Sequence, residues 1–257
     1  MRTLHSLIAA FALSFGTLAA GCAVDAADDT SDTDDATTAP GSFDMWQADD
    51  GQWHFHLVSG NGATLVTSEA YTDRVGAING ILSVMNNGQD ASRYQVVAAA
   101  HGYLLHIVAG NGETVGSTQV YSTKSNATRA ITSCVNAVTS YDTKVRSKTT
   151  GARVAVTLGQ SGQWHFDVYA KNGQVMLTSE LYSSQAAAYN GALAVQEAGV
   201  ASYSYEVKQS VSGGTFYFNI KASNGEIVGT SQQYTTQASA ESGRASLIAL
   251  LPSIDII

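Results

Sequence analysis

His54 and His56 stand two residues apart in Trp53-His54-Phe55-His56-Leu57-Val58, and His165 and Asp167 share that spacing in Trp164-His165-Phe166-Asp167. Imidazole nitrogens and carboxylate oxygens are ligand types that zinc accepts. Residues i and i+2 of an extended strand leave the same face, so each pair presents two donors together. Trp53, Phe55 and Leu57 have the opposite parity and belong to a covered face. A protein zinc site needs three or four ligands, and the matching positions of the intervening segments offer only His106, Tyr217 and Asn219. The simpler reading is that one side of an antiparallel sheet faces water and is polar. No cofactor is expected.

Other reactive side chains are weaker candidates. Glu69 and Glu180 recur at equivalent places in separate halves of the chain, which suits strand pairing better than an acid/base pair. Ser68, Ser179 and Ser231 lie in strand-like runs without the glycine-flanked elbow of a nucleophile. Cys134 takes the place of Val84, Val195 and Leu247 in the other copies, which marks it as a small buried apolar residue. Trp46 has no aromatic counterpart in the third copy and is the better candidate for an exposed contact.

These residues sit in a fourfold repeat. Asn-Gly is followed by an alternating run that ends in tyrosine ten residues after the asparagine: Asn61-Gly62 to Tyr71, Asn111-Gly112 to Tyr121, Asn172-Gly173 to Tyr182 and Asn224-Gly225 to Tyr234. An aromatic residue stands eight before each asparagine: Trp53, Tyr103, Trp164 and Phe216. Alternating runs on both sides of Asn-Gly predict a β-hairpin with a type I′ turn. A further strand precedes each hairpin, at Phe43 to Ala48, Tyr94 to Ala98, Val154 to Leu158 and Tyr205 to Gln209. The first and third copies carry Thr-Ser-Glu after Val66 and Leu177, whereas the second and fourth carry Gly116 and Gly229 there. This alternation predicts two domains of two repeats each.

After each tyrosine the period changes to that of a helix. The sixth residue onward is alanine (Ala77, Ala127, Ala188, Ala240) and the ninth is small (Gly80, Ala130, Gly191, Gly243). The thirteenth is Val84, Cys134, Val195 or Leu247, so one narrow face turns inward. Thr72, Ser122, Ser183 and Thr235, with the residues just after them, supply N-caps. Glycine inside a helix costs about 1 kcal/mol relative to alanine, so its use at one position implies a close approach to the sheet. The fold class is therefore α+β: two tandem domains, each a pair of β-β-β-α repeats forming one antiparallel sheet with two helices on one face.

The start of the chain reads differently. Arg2, the apolar run Leu7 to Leu18 and Leu18-Ala19-Ala20-Gly21-Cys22 form a secretory signal over residues 1–21. The Ala-Ala-Gly-Cys site resembles a bacterial lipobox, which implies lipid on Cys22 and a membrane as partner. Ala23 in place of aspartate after that cysteine resembles outer-membrane sorting, facing the periplasm. Residues 22–42 hold six acids and no base, a composition that reads as a disordered acidic tether. Setting those acids and Arg2 aside leaves 15 acids against 12 bases, a net charge of −3 from the −8 of the whole chain. A nearly neutral domain pair without a basic stripe argues against nucleic acid as a partner.

Tyr217-Phe218-Asn219-Ile220-Lys221-Ala222, the Asn224-to-Tyr234 motif and Ala238-Ser239-Ala240-Glu241-Ser242-Gly243 together resemble the YegP-like family of small bacterial tandem-repeat domains. The resemblance covers residues 43–257, closest in the fourth repeat and weakest in the second. It implies tandem β3-α repeats on one sheet, with helices exchanged between the halves, and it implies no activity. Domain boundaries follow: 43–145 (repeats 43–93 and 94–145), a linker at 146–152, and 153–257 (repeats 153–204 and 205–257).

Function then has three readings. The first is a non-enzymatic cell-envelope lipoprotein that binds an envelope protein or polymer. The second is a metal or small-ligand binding protein using His54, His56, His165 and Asp167. The third, a hydrolase, requires a pocket between the two domains.

Overall fold

The computed structural model describes residues 39–198, 204–222 and 224–256. The signal segment, Cys22 and the acidic stretch as far as residue 38 lie outside them.

The chain runs β1 (Ser42–Gln47), β2 (Trp53–Val58), β3 (Thr64–Ser68), α1 (Arg74–Asn87), β4 (Tyr94–Ala99), β5 (Gly102–Val108), β6 (Thr114–Ser117) and α2 (Lys124–Tyr141). The pattern returns as β7 (Arg153–Leu158), β8 (Trp164–Tyr169), β9 (Val175–Ser179), α3 (Gln185–Ala198), β10 (Tyr205–Gln209), β11 (Phe216–Lys221), β12 (Ile227–Ser231) and α4 (Gln237–Leu250). A last short strand, β13 (Asp255–Ile256), follows. The first sheet has the order β1-β2-β3-β6-β5-β4 and the second β10-β11-β12-β9-β8-β7-β13. Repeats join through their third strands, β3 with β6 and β9 with β12, both antiparallel. β13 lies parallel to β7, so the second sheet is not wholly antiparallel.

The alternation between odd and even repeats has its cause at these central seams. A Cβ on Gly116 would come within 2.8 Å of Val66, and one on Gly229 within 2.6 Å of Leu177. The large residue of the odd repeat fills the space that glycine leaves in the even one. Each pair of repeats is thus a unit with two unlike halves.

The hairpins differ from expectation. In the first, Gly62 N–H donates to the Ser59 carbonyl and Ser59 N–H donates to the Ala63 carbonyl, so Gly60 and Asn61 occupy the centre of the turn. Gly62 follows with φ +85°. This is a three-residue loop closed by a glycine bulge, not the two-residue type I′ turn that Asn-Gly suggests. The same bonds recur at Gly112, Gly173 and Gly225. Asparagine is suited to the loop because its Oδ1 accepts from the N–H two residues on: Asn61 from Ala63, Asn111 from Glu113, Asn172 from Gln174 and Asn224 from Glu226.

Each repeat tyrosine exchanges two backbone hydrogen bonds with the aromatic residue that opens its hairpin, as Tyr71 does with Trp53 at 2.7 and 2.8 Å. The tyrosine ring then lies under the following helix. A Cβ on Gly80, Gly191 or Gly243 would stand 2.2, 2.1 or 2.1 Å from the hydroxyl of Tyr71, Tyr182 or Tyr234. The expected close approach is therefore a contact between helix backbone and tyrosine. The helices start at the third residue after each tyrosine, and the second is the N-cap: Asp73, Thr123, Ser184 and Thr236 accept from the N–H three residues on.

Phe55, Leu57, Leu105 and Ile107 fill the first core with Ala77, Val84 and Cys134, and Phe166, Val168, Phe218, Ile220, Val195 and Leu247 fill the second. Burial pushes the Cys134 thiol up to about 12, as suits a packing residue. The helices do not exchange wholesale. α1 lies on β2 of its own repeat and reaches β6, while α2 and α3 span strands of both halves. The two sheets are not independent: α1 packs against α3, and Ala186, Tyr189 and Leu193 of α3 enter the core under the first sheet. Arg74 donates twice to the Glu197 carboxylate, at 3.1 and 2.6 Å, across that junction.

Candidate functional site

With the helices on one face of each sheet, the strand residues of opposite parity form two uncovered faces. On the first, the register aligns Asp44, His56, Thr67, Ser117, His106 and Gln95 in one row across all six strands. His54 and Trp46 pair in the next row. The Trp46 indole stacks on the His54 ring at 5.5 Å and 21°, and its centroid is 4.4 Å from that of His56. Burial lowers the His56 pKa from its ordinary value, with the Asp44 carboxylate opposing and His54 reinforcing the shift. Asp44 is raised by its own burial, against the pull of His56.

The second face carries the equivalent row Ala155, Asp167, Thr178, Thr230, Asn219 and Glu206. Here the side chains bond to each other. Thr178 donates to Asp167 at 2.7 Å, and Thr230 donates to Asn219 at 3.1 Å. His165 Nε2 lies 3.6 Å from the Asp167 carboxylate. Beside them Arg153, only 9% exposed, lays its guanidinium 3.9 Å over the Tyr169 ring. Lys208 and Lys221 both reach Glu206, at 3.3 and 2.7 Å.

The structure therefore places His54 with His56, and His165 with Asp167, on uncovered faces as the spacing implies. It does not bring the two pairs together, because they belong to different sheets. Among the described residues no group of three or more His, Cys, Asp or Glu side chains could hold a metal. Asp44, Thr67, Gln95 and Arg153 were not legible as partners, because cross-strand register has no signal within one strand. Strand parity alone could have nominated Asp44, which shares a face with Trp46.

The serines are structural. Ser68 accepts from Phe55 N–H at 2.8 Å and donates to the Glu69 carbonyl at 2.7 Å. Thr118, Ser179 and Ser231 accept from the equivalent amides of Leu105, Phe166 and Phe218. Each hydroxyl takes the place of a ladder bond where the strand leaves its partner. Between the two sheets there is a cleft of about 970 Å³, lined by Asp44, Tyr141, Lys144, Lys148, Gln196 and Asp255 among others. Its described lining includes no histidine or cysteine, and Lys148 pairs with Asp255 at 2.5 Å.

Comparison with known proteins matches the profile of the domain of unknown function DUF1508 at residues 48–95, 98–143, 160–203 and 212–252. A UPF0339 protein of Pseudomonas aeruginosa is 40% identical over 96 residues, which cover 37% of this chain and 86% of that protein. The UPF0339 protein YegP of Escherichia coli K12 is 45% identical over 85 residues, 33% of this chain and 76% of YegP. The solution NMR structure of yegP from E. coli covers 43% of this chain and 94% of its own, at 35% identity and a TM-score of 0.39. That of a UPF0339 protein from Shewanella oneidensis covers 42% and 90%, at 32% identity and the same TM-score. Four matched segments account for well over half of the sequence, and the chain belongs to the DUF1508, or YegP-like UPF0339, family.

Proposed function

We propose that this protein is a non-enzymatic binding module of the cell envelope, exported and held to a membrane by lipid on Cys22. Its working surface is the uncovered face of the first sheet, and its partner is an envelope protein or polymer. One observation carries the reading: Trp46 rests on His54 and His56, next to the Asp44 end of a polar row that crosses six strands. An indole beside hydroxyl, amide and imidazole groups offers apolar area and hydrogen bonds on one rigid surface, the combination that anchors many binding surfaces. The lipid anchor rests on the Ala20-Gly21-Cys22 sequence, and the acidic residues that follow would hold the folded part away from a like-charged membrane.

The test compares retention of envelope components by the chain with retention by a variant carrying Trp46→Ala, His54→Ala and His56→Ala. Loss of a retained component in the variant, with an unchanged melting curve, supports the reading. Equal retention by both proteins contradicts it. The metal reading predicts instead a rise in melting temperature with zinc that disappears in His54→Ala/His56→Ala.

A further inference from the structure

We infer that β4 is a self-association edge, and that a second copy of this chain pairs with it as an added antiparallel strand. The inference is independent of what the uncovered face binds. β4 ends the first sheet and has no strand on its outer side among the described residues. Half of its backbone N–H and C=O groups therefore point outward, a template for another strand.

The chain contains its own control. β10 ends the second sheet in the equivalent place, since Tyr94 pairs with Ile107 and Tyr205 with Ile220. Counting from those tyrosines, Glu206 and Lys208 of β10 correspond to Gln95 and Val97 of β4. On the neighbouring helices, the tenth residue after the repeat tyrosine is Arg244 in α4 and Ile131 in α2. Glu206 on the β10 edge pairs with both Lys208 and Lys221, and Arg244 is bonded to Glu241 at 2.9 Å. Charged side chains on an edge strand prevent another strand from docking, because docking would desolvate them. β10 is protected in this way; β4, in the same fold, is not.

At the opposite ends of the sheets, β13 lies along β7, and β1 borders the cleft lined by Ile254 to Ile256, where Lys144 and the Lys148–Asp255 pair set charge beside the edge. At β4 the uncharged strand Tyr94-Gln95-Val96-Val97-Ala98-Ala99 is flanked by part-buried Val96 and Ile131 on the helix side. Val97 and its partner Leu104 lie on the other side. A two-fold pairing about Val96 and Val97 sets neutral groups opposite neutral groups, so no charge loses its water. A strand edge with a narrow apolar shoulder falls below the roughly 1,000 Å² typical of stable complexes. The dimer is accordingly weak and concentration-dependent, and neighbours on one membrane would favour it.

The test is sedimentation over a wide concentration series, using the chain from Ala23 onward and its Gln95→Glu/Val97→Lys variant. That variant copies β10 onto β4, a pair of residues the second sheet already carries. The expected result is a dimer that forms with rising concentration in the native chain and is weakened by about tenfold or more in the variant. In parallel, amide exchange of Val96 to Ala98 in the native chain should slow as concentration rises, a readout that needs no variant. A native chain that stays monomeric, or a dimer indifferent to the substitutions, overturns the inference. Protection of these amides only when envelope extract is added overturns it too, and assigns the edge to another protein.

Discussion

The repeat tyrosine and the helix glycine above it stand in close contact, and replacing that glycine makes a quantitative test. In Gly191→Ala the new Cβ would stand 2.1 Å from the Tyr182 hydroxyl, 2.5 Å from Cζ and 3.1 Å from Cε1. An ordinary contact begins at 3.4 Å, so helix and ring must separate by about 1.3 Å. The ring has little room, because Phe166 is stacked against it at 6.2 Å and 24°. Overpacking of this kind costs about 1–3 kcal/mol, against which alanine returns at most about 1 kcal/mol of helix propensity. The second repeat carries Ala130 at the glycine's position and Leu105 in place of the phenylalanine, so a smaller residue beside the tyrosine accompanies the added Cβ. Phe166→Leu should therefore rescue Gly191→Ala. In a chemical denaturation cycle the double variant should be more stable than the sum of the single losses predicts, by about 1 kcal/mol or more. Strictly additive losses, or a neutral Gly191→Ala, would refute the reasoning.

Two further outcomes can be measured. Ser68→Ala orphans the buried Phe55 N–H and should cost about 1–3 kcal/mol in denaturant unfolding, whereas Ser68→Thr, which copies Thr118 of the second repeat, should cost far less. The His56 pKa lies below its ordinary value of about 6.5 because of burial, so its contribution to stability is present above that value and is lost as pH falls through the lower folded-state pKa. Asp44, whose pKa is raised by burial, contributes below its own ordinary range and loses that contribution as pH rises, so the two windows are separate. The melting temperature should decline on acidification just below neutrality, and His56→Gln should flatten that decline.

Most of the fold was legible because the sequence states it four times. Strand and helix positions follow from the alternation around each Asn-Gly and the three-to-four spacing after each tyrosine, and the glycine in three of the four helices implies a close contact. Asn-Gly alone does not fix the turn type, because it satisfies two geometries: the asparagine that favours a left-handed centre in one also accepts the bond from Ala63 N–H in the other. The partner of the helix glycine could not be named from spacing, since a tyrosine nine residues earlier meets it only through the fold. The candidate faces were legible by parity, but the rows across them depend on register. The lack of an aromatic counterpart singles out Trp46, but its position over both imidazoles depends on the pairing of β1 with β2.

The most direct test of the proposed binding face is a histidine-modification footprint of the chain, with and without solubilised envelope. His54, His56 and His106 lie on the uncovered face of the first sheet, whereas exposed His101 sits in the β4–β5 turn and serves as the reference. The account predicts that envelope slows modification of the three face histidines and leaves His101 unchanged. Protection of His101 alone, or no protection at any of them, would contradict it.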